Sequence, residues 1–350
     1  MERIIKIIKD NIIIFIPIIV FIFLFTYWRR HGRDPKGRGT IMPEYGPPEN
    51  ILPAEAGVVI DEKMDMRDLS ATIIDLARRG YLKIKQEDKK ALGLNIGKGW
   101  ILLRTEKSIQ NLLTYERSLI NAFFDNDTKK EMSLSKIKSN SKITNQIKEI
   151  KKSIYVKVTK DGWFAKNPET TRATLTVIGG VVIFGFFFLG GFNSSGLIPI
   201  ISILVTGALI IFFAQIMPKK TQEGAVMKER LEGFKMFLSA TEKDRVKFHF
   251  SPSANPDKFA DYLPWAIIFG VEKEWAGVFK GIDLAQPDWY VGSWTSHYMA
   301  MSLANSMGSF NSSFSKGMTA ANAGAAKGVS GFGGGGFSGG GFGGGGGGSW

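Results

Sequence analysis

Three long runs without a single charged side chain limit what this chain can fold into. Residues 12–28, 173–192 and 197–217 are built almost wholly from Ile, Leu, Val, Phe, Gly and Ala. Crossing a bilayer as a helix takes about 20 mainly apolar residues. A backbone inside lipid must satisfy its own hydrogen bonds, which a helix does. The runs therefore predict three transmembrane helices, the second and third forming a hairpin about the short link 193–196. A buried helical pair in a soluble domain is the rival reading of the hairpin. Two uncharged runs of spanning length, back to back, argue against it.

The first run ends Phe25-Thr26-Tyr27-Trp28-Arg29-Arg30. A secretory leader ends in small residues at a cleavage site, whereas this exit is bulky and basic, so an uncleaved anchor is expected. Tyr27 and Trp28 suit the interfacial aromatic belt. In the hairpin, Gly179, Gly180, Gly185, Gly190 and Gly191 allow close helix approach, but their spacing is not GxxxG. No run carries Asp, Glu, Lys, Arg or His, which argues against an ion path or proton relay.

Basic residues flank the runs unevenly. Arg29, Arg30, Arg33, Lys36 and Arg38 follow the first, and Lys219 and Lys220 follow the third; the hairpin tip has none. By the positive-inside rule, 29–172 and 218–350 are expected in the cytoplasm of a plasma-membrane protein. Those seven residues are the expected contacts with anionic headgroups, worth about 1 kcal/mol each near the surface. Arg3, Lys6 and Lys9 at the start pull the other way. Reversing the first span would place both large basic regions outside.

Most of the net charge of +13 falls within 29–172. Residues 29–64 read as a basic juxtamembrane and Pro-rich linker. Region 65–172 reads as α+β and winged-helix-like. Leu69, Ile73, Leu76 and Ala77 keep helical spacing, Gly80 stops the helix, and 81–85 and 99–104 alternate as strands. Residues 115–124, 133–138 and 143–158 suggest three further helices and a second, similar unit, with Gly162-Trp163-Phe164 starting a minimal wing. A winged helix raises the possibility of DNA binding through 68–79, with Arg78, Arg79, Lys83 and Lys85 as contacts. Asp68 and Asp75 on the same helix would repel phosphate, so a protein contact is favoured over nucleic acid. The segment 93–99 resembles a phosphate loop, but it has three residues between glycines where four are needed and no following hydroxyl, so it reads as a wing tip.

Residues 218–300 read as a small helical domain. Leu231, Phe234, Phe237 and Leu238 share one helical face, and aromatics recur through 257–280. The cluster Glu242-Lys243-Asp244-Arg245 with His249 reads as a solvated turn. From 301 the chain turns rich in Ser, Asn, Ala and Gly, and 301–350 reads as a disordered tail. Phe332, Phe337, Phe342 and Trp350 punctuate it as candidate points of weak adhesion. There is no cysteine and there are only three histidines, so disulfides, thiolate sites and a cysteine nucleophile are excluded. No cofactor or metal site is expected, and no nucleophile–base pair stands at a recognisable spacing for a hydrolase.

An ordered set of short motifs carries a family resemblance. It runs Trp28-Arg29-Arg30-His31-Gly32-Arg33-Asp34-Pro35, then Pro43-Glu44-Tyr45, Leu52-Pro53-Ala54-Glu55, Arg67-Asp68-Leu69 and Ala77-Arg78-Arg79-Gly80-Tyr81-Leu82. It continues through Gly233-Phe234-Lys235-Met236-Phe237-Leu238, Glu242-Lys243-Asp244-Arg245, Tyr262-Leu263-Pro264-Trp265 and Gly270-Val271-Glu272 to the glycine tail. From about residue 20 onward the chain resembles the C-terminal part of a bacterial family of predicted membrane proteins, domain of unknown function 2207. The resemblance implies a membrane protein with no assigned reaction and no catalytic residues to transfer. Such proteins usually start with a signal peptide and an extracytoplasmic β-rich domain. Its absence here implies a truncated start or a separate outer chain.

The expectation is thus an α-helical membrane protein of three transmembrane helices. It carries a cytoplasmic α+β winged-helix-like region, a small helical domain and a disordered Gly-rich tail. It would act without catalysis, touching anionic lipid and a protein partner that could be a second copy. The alternatives are a membrane-tethered DNA-binding regulator and, third, a membrane-associated hydrolase.

Overall fold

A computed structural model describes residues 12–91, 94–188, 197–240, 252–292 and 299–327. The hairpin tip 193–196, Gly93, the 242–245 cluster with His249, and Phe332, Phe337, Phe342 and Trp350 lie outside the described residues.

Three of the described helices are long and apolar enough to cross a membrane. Helix α1 (Ile16–His31) starts with Pro17 in its first turn, where a missing N–H costs nothing. It ends on Arg29, Arg30 and His31, and the charge of the two arginines suits the helix C-terminus. Helices α6 (Pro168–Phe188) and α7 (Leu197–Ile216) pair as the hairpin, and α1 packs on α7. Of the five glycines expected to allow close approach, Gly179 does so. A Cβ there would lie 2.7 Å from Ile211 and 2.9 Å from the Gly207 carbonyl, whereas Gly180 and Gly185 face open space. Gly190 and Gly191 are outside the described residues. Leu24, Ile210, Phe213 and Met217 form the buried seam of the three helices.

The remaining elements share one core. In chain order they are α2 (Pro53–Asp61), α3 (Met66–Arg78), β1 (Leu82–Ala91), β2 (Leu94–Arg104), α4 (Thr114–Phe124), β3 (Glu131–Ser133) and α5 (Ser141–Lys160). After the hairpin come α8 (Gln222–Ser239), α9 (Lys258–Phe269), α10 (Glu272–Val278), β4 (Tyr290–Val291) and α11 (Met299–Lys327). The sheet order is β3-β2-β1-β4. β1 and β2 are antiparallel with Ile84 opposite Leu102, and β4 lies parallel to β1 with Tyr290 opposite Ile84. One contiguous buried cluster extends from Ile51 to Met318.

That core revises the expected division of the chain. Residues 65–172 and 218–300 are not separate domains: β4 extends the sheet of the first region, and α9 packs on α3. A core shared across the hairpin places both regions on the same side of the membrane. The linker 29–64 holds a helix, because Pro53 occupies a first-turn position and Ala54, Val58 and Val59 are fully buried. The tail does not begin at 301. α11 runs to Lys327 and buries Leu303, Met307, Phe310, Phe314 and Met318. The second winged unit does not form as a repeat. Its strand β3 joins β2 of the first sheet, and Phe164 bridges to Lys220 rather than to a wing. β1 and β2 are longer than the expected 81–85 and 99–104, because an antiparallel ribbon pairs its own backbone even where its sequence is polar.

Candidate functional site at the membrane-proximal face

The chain leaves the first and third spans side by side and stays paired. Residues 34–45 run as a strap along α8. The Asp34 carboxylate accepts the Lys220 backbone N–H at 2.7 Å. The Gln222 amide donates to the Lys36 carbonyl at 2.8 Å. Both backbone N–H groups of Arg38 and Gly39 donate to Glu229, at 2.6 and 3.1 Å. Arg230 grips Glu44 with two bonds, at 2.8 and 3.2 Å. Gly233 leaves room for the Met42 carbonyl, which a Cβ would overlap, and Tyr45 packs edge-on against Phe237 at 5.4 Å.

Lys220 is the hub of this joint. Its ammonium lies 2.5 Å from Glu62 at the end of α2 and 3.4 Å from Asp34, and 5.4 Å from the Phe164 ring centre. Its residue exposure is 1%, so it does not face headgroups as expected. A buried ammonium needs paired charge, and here two carboxylates supply it. Arg29, Arg30, Arg33, Lys36 and Arg38 are exposed, and Lys219 is half-buried. Trp28 donates its indole N–H to the Ile216 carbonyl at 2.9 Å, tying the first span to the third.

Three buried carboxylates explain three helix starts. Glu55, Asp68 and Glu116 each stand three residues beyond the N-cap of α2, α3 and α4. Each accepts a backbone N–H there: Leu52 at 3.1 Å, Asp65 at 2.8 Å and Leu113 at 3.0 Å. Such reach-back satisfies one of the donors a helix start leaves open. The second oxygens are also engaged in two of them. Tyr115 donates to Glu55 at 3.1 Å, and Glu116 is ion-paired with Arg79. Burial pushes the Glu55 carboxyl up, against the pull of Lys157 and its two donors. Burial pushes Asp68 up to about 8, against the Asp65 N–H. The sequence motifs contained Glu55 and Asp68 but not Glu116, and only Asp68 was read as standing at a helix start; the three-residue offset from an extended residue was the available signal.

Glu55, Arg79, Glu116, Lys157, Asp161 and Trp163 line an open depression of about 620 Å³. Lys157 is ion-paired with Asp161 and lies 3.9 Å from Glu55. Leu113 and Lys157 also border an adjoining groove of about 520 Å³ along α5, which Lys152, Val156 and Lys160 extend.

Of the expected contact residues, the two arginines are ion-paired within the protein and the two lysines stand on β1. Arg78 pairs with Asp75 at 3.0 Å and Asp261 at 3.2 Å, and Arg79 with Asp75 at 2.8 Å and with Glu116. Lys83 is exposed and Lys85 half-buried on β1. The whole run Asp68–Ala77 is buried. A helix enclosed by protein cannot lie in a DNA groove, so 68–79 is not a recognition helix, and its two aspartates serve Arg78, Arg79 and the cap.

The class this architecture defines is an integral membrane protein of three apolar helices bearing one compact domain on one face. Residues 40–279 match the family described as predicted membrane protein (DUF2207), C-terminal domain. With well over half of its length matched, the chain belongs to that family. No curated protein and no solved structure matches it.

Proposed function

We propose that this protein is a membrane-anchored, non-enzymatic interaction module. Its domain would receive a protein partner, a second copy or another chain, at the cytoplasmic face of the plasma membrane. The carrying observation is the apolar rim of the strap. Ile41, Met42 and Tyr45 are 46%, 58% and 46% exposed, and Met236 on the adjoining α8 is 47% exposed. These side chains stand on a strap fixed to the membrane joint, so a partner seated there would be held at a constant height above the bilayer. The order helix, helix, strand, strand from Pro53 to Arg104 supports a winged-helix-like reading in which the fold serves protein contact. The exposed arginines after the first span support the cytoplasmic side and attraction to anionic headgroups.

A photo-crosslinking residue at Met236 or Ile41 of the full chain, in its native cells, tests the partner. A reproducible cross-link to one protein species supports the reading. Cross-links to lipid alone, or none, overturn it. The sidedness is read by single cysteines at Ser194 and Ser312, unambiguous in a chain without cysteine. External labelling of Ser312 would reverse the orientation.

A further inference from the structure

Helices α4 and α5 pack side by side and leave an open crease between them. Two depressions, of about 710 and 520 Å³, share Glu149 and Ser153 and so run on as one. On α5 the crease reaches from Asn145 to Lys160, a run of about 22 Å at ~1.5 Å per residue. The half nearer the start of α5 is lined by neutral amides and hydroxyls, Ser118 and Asn121 from α4 and Asn145 and Gln146 from α5. The Gln146 side-chain oxygen is buried without a hydrogen-bond partner among the described residues. A buried acceptor left open costs free energy until a donor arrives. The rims are basic. Lys148, Lys152 and Lys160 stand at multiples of four residues on the exposed side of α5, and Arg117 is exposed on α4, one turn from Thr114 and Asn121. Lys148, Lys160 and Arg117 make no ion pair among the described residues. Lys152 lies 3.9 Å from Glu149, the one carboxylate lining the crease, and 70% of its side chain is exposed.

An open crease of this length fits an extended chain better than a small molecule, which favours an enclosed and largely apolar pocket. Val156 is the one exposed apolar side chain lining it, too little for the apolar face of an amphipathic helix. A carboxamide offers a donor beside an acceptor, as a peptide group does. We propose that the crease binds an extended, acidic peptide segment of a partner protein, about seven residues long at ~3.3 Å each. Its backbone lies against Asn121, Asn145 and Gln146. Its Asp and Glu side chains reach Lys148, Lys152 and Lys160 on one rim and Arg117 on the other. Nucleic acid, the competing polyanion, finds no exposed aromatic ring in the crease on which to stack a base. The crease is independent of the strap, which lies on α8, so loss of a cross-link at Met236 would leave it standing.

A displayed library of random heptapeptides, panned on the full chain in lipid nanodiscs, tests this. Enriched sequences are then measured by fluorescence anisotropy, with oligothymidylate of matched length as a second probe. Enrichment of Asp and Glu is expected, with affinity falling as salt rises. Lys148→Glu and Lys152→Glu, both at exposed positions, should each weaken the enriched peptide about tenfold and flatten its salt dependence. Asn145→Ala, also exposed, should weaken it about threefold at every salt concentration. All three variants should keep the parent melting temperature. No enrichment, enrichment of sequences without acidic residues, or variants that bind like the parent would overturn the site. Loss on the lysine variants alone would reduce it to a charged patch and overturn the backbone recognition. Tighter binding of oligothymidylate than of the peptide would overturn the peptide assignment in favour of nucleic acid.

Discussion

Asp68 is 4% exposed, caps α3 through the Asp65 N–H, and fits against Gly57, where a Cβ would overlap its carboxyl. Its pKa is pushed up to about 8, chiefly by burial, with Asp61 and Asp65 adding to the rise and Arg67 opposing it. Lys151 reaches toward the same region from α5 but spends its ammonium on the Met64 carbonyl at 2.8 Å. The folded state therefore keeps a proton that the unfolded chain releases near pH 4. Stability contributed by this group is fully present below pH 4 and falls as pH rises toward 8, by up to about 1.4 kcal/mol per unit. Thermal unfolding of the detergent-solubilised chain should show that fall between pH 5 and 8. Asp68→Asn keeps an acceptor for the cap and removes the titration, so its profile should be flatter. A parent profile as flat as the variant's would show that the buried carboxyl is not protonated. None of this was visible in the sequence, where Asp68 read as a groove-facing negative charge. Spacing told which face of α3 is apolar, but not that the opposite face is covered too.

Among elements, the clearest in sequence were those whose apolar residues repeat at 3.6. Leu231, Phe234, Phe237 and Leu238 are buried in α8 as their spacing requires. α2 was hidden by its prolines, since a Pro at a helix start and a Pro in a linker look alike until the cap is known. α11 was hidden by composition. Its Ser, Gly and Asn residues read as disorder, yet Leu303, Met307, Phe310, Phe314 and Met318 recur at three or four residues throughout. Phe314 packs with Phe123 and Phe310, at 6.2 and 6.4 Å, and is fully buried. Phe314→Ala should cost about 3–5 kcal/mol in a denaturant titration, whereas an unpacked tail residue would cost nothing measurable. In the hairpin, Gly207→Val should force α6 and α7 apart, because a Cβ would stand 3.0 Å from the Gly179 carbonyl and overlap Ile183. The expected penalty is about 1–3 kcal/mol. Gly185→Ala, in open space, should leave stability within about 1 kcal/mol of the parent. Equal effects in a detergent unfolding assay would dismiss the close approach.

At the scale of the whole molecule, the strap and Lys220 decide whether spans and domain move as one. Lys220→Met leaves Asp34 and Glu62 facing each other without the cation. Breaking a buried pair from one side costs about 3–5 kcal/mol, and the partial exposure of both carboxylates places this joint at the lower end. The variant should also open the strap to protease cleavage between residues 34 and 45, read by the fragment pattern. Unchanged cleavage would mean the other strap bonds suffice. The three spans and the family were legible in the sequence because hydropathy and short motifs are local. The single core was not, because Tyr290 meets Ile84, and Phe310 meets Trp100, across more than two hundred residues.

That split core also sets an order of events during synthesis. Residues 51–164 emerge from the ribosome first, but their apolar faces are completed by α8, α9, α10 and α11. Those helices are translated only after the hairpin 168–216, so the domain closes after the membrane has accepted its second and third helices. Until then the early half waits with uncovered Trp100 and Phe123, whose ring partners Phe310 and Phe314 lie on α11, the kind of surface chaperones hold. A stalled or misinserted hairpin would thus leave behind an unfinished domain rather than a finished one in the wrong place, and quality-control proteases would meet it as such.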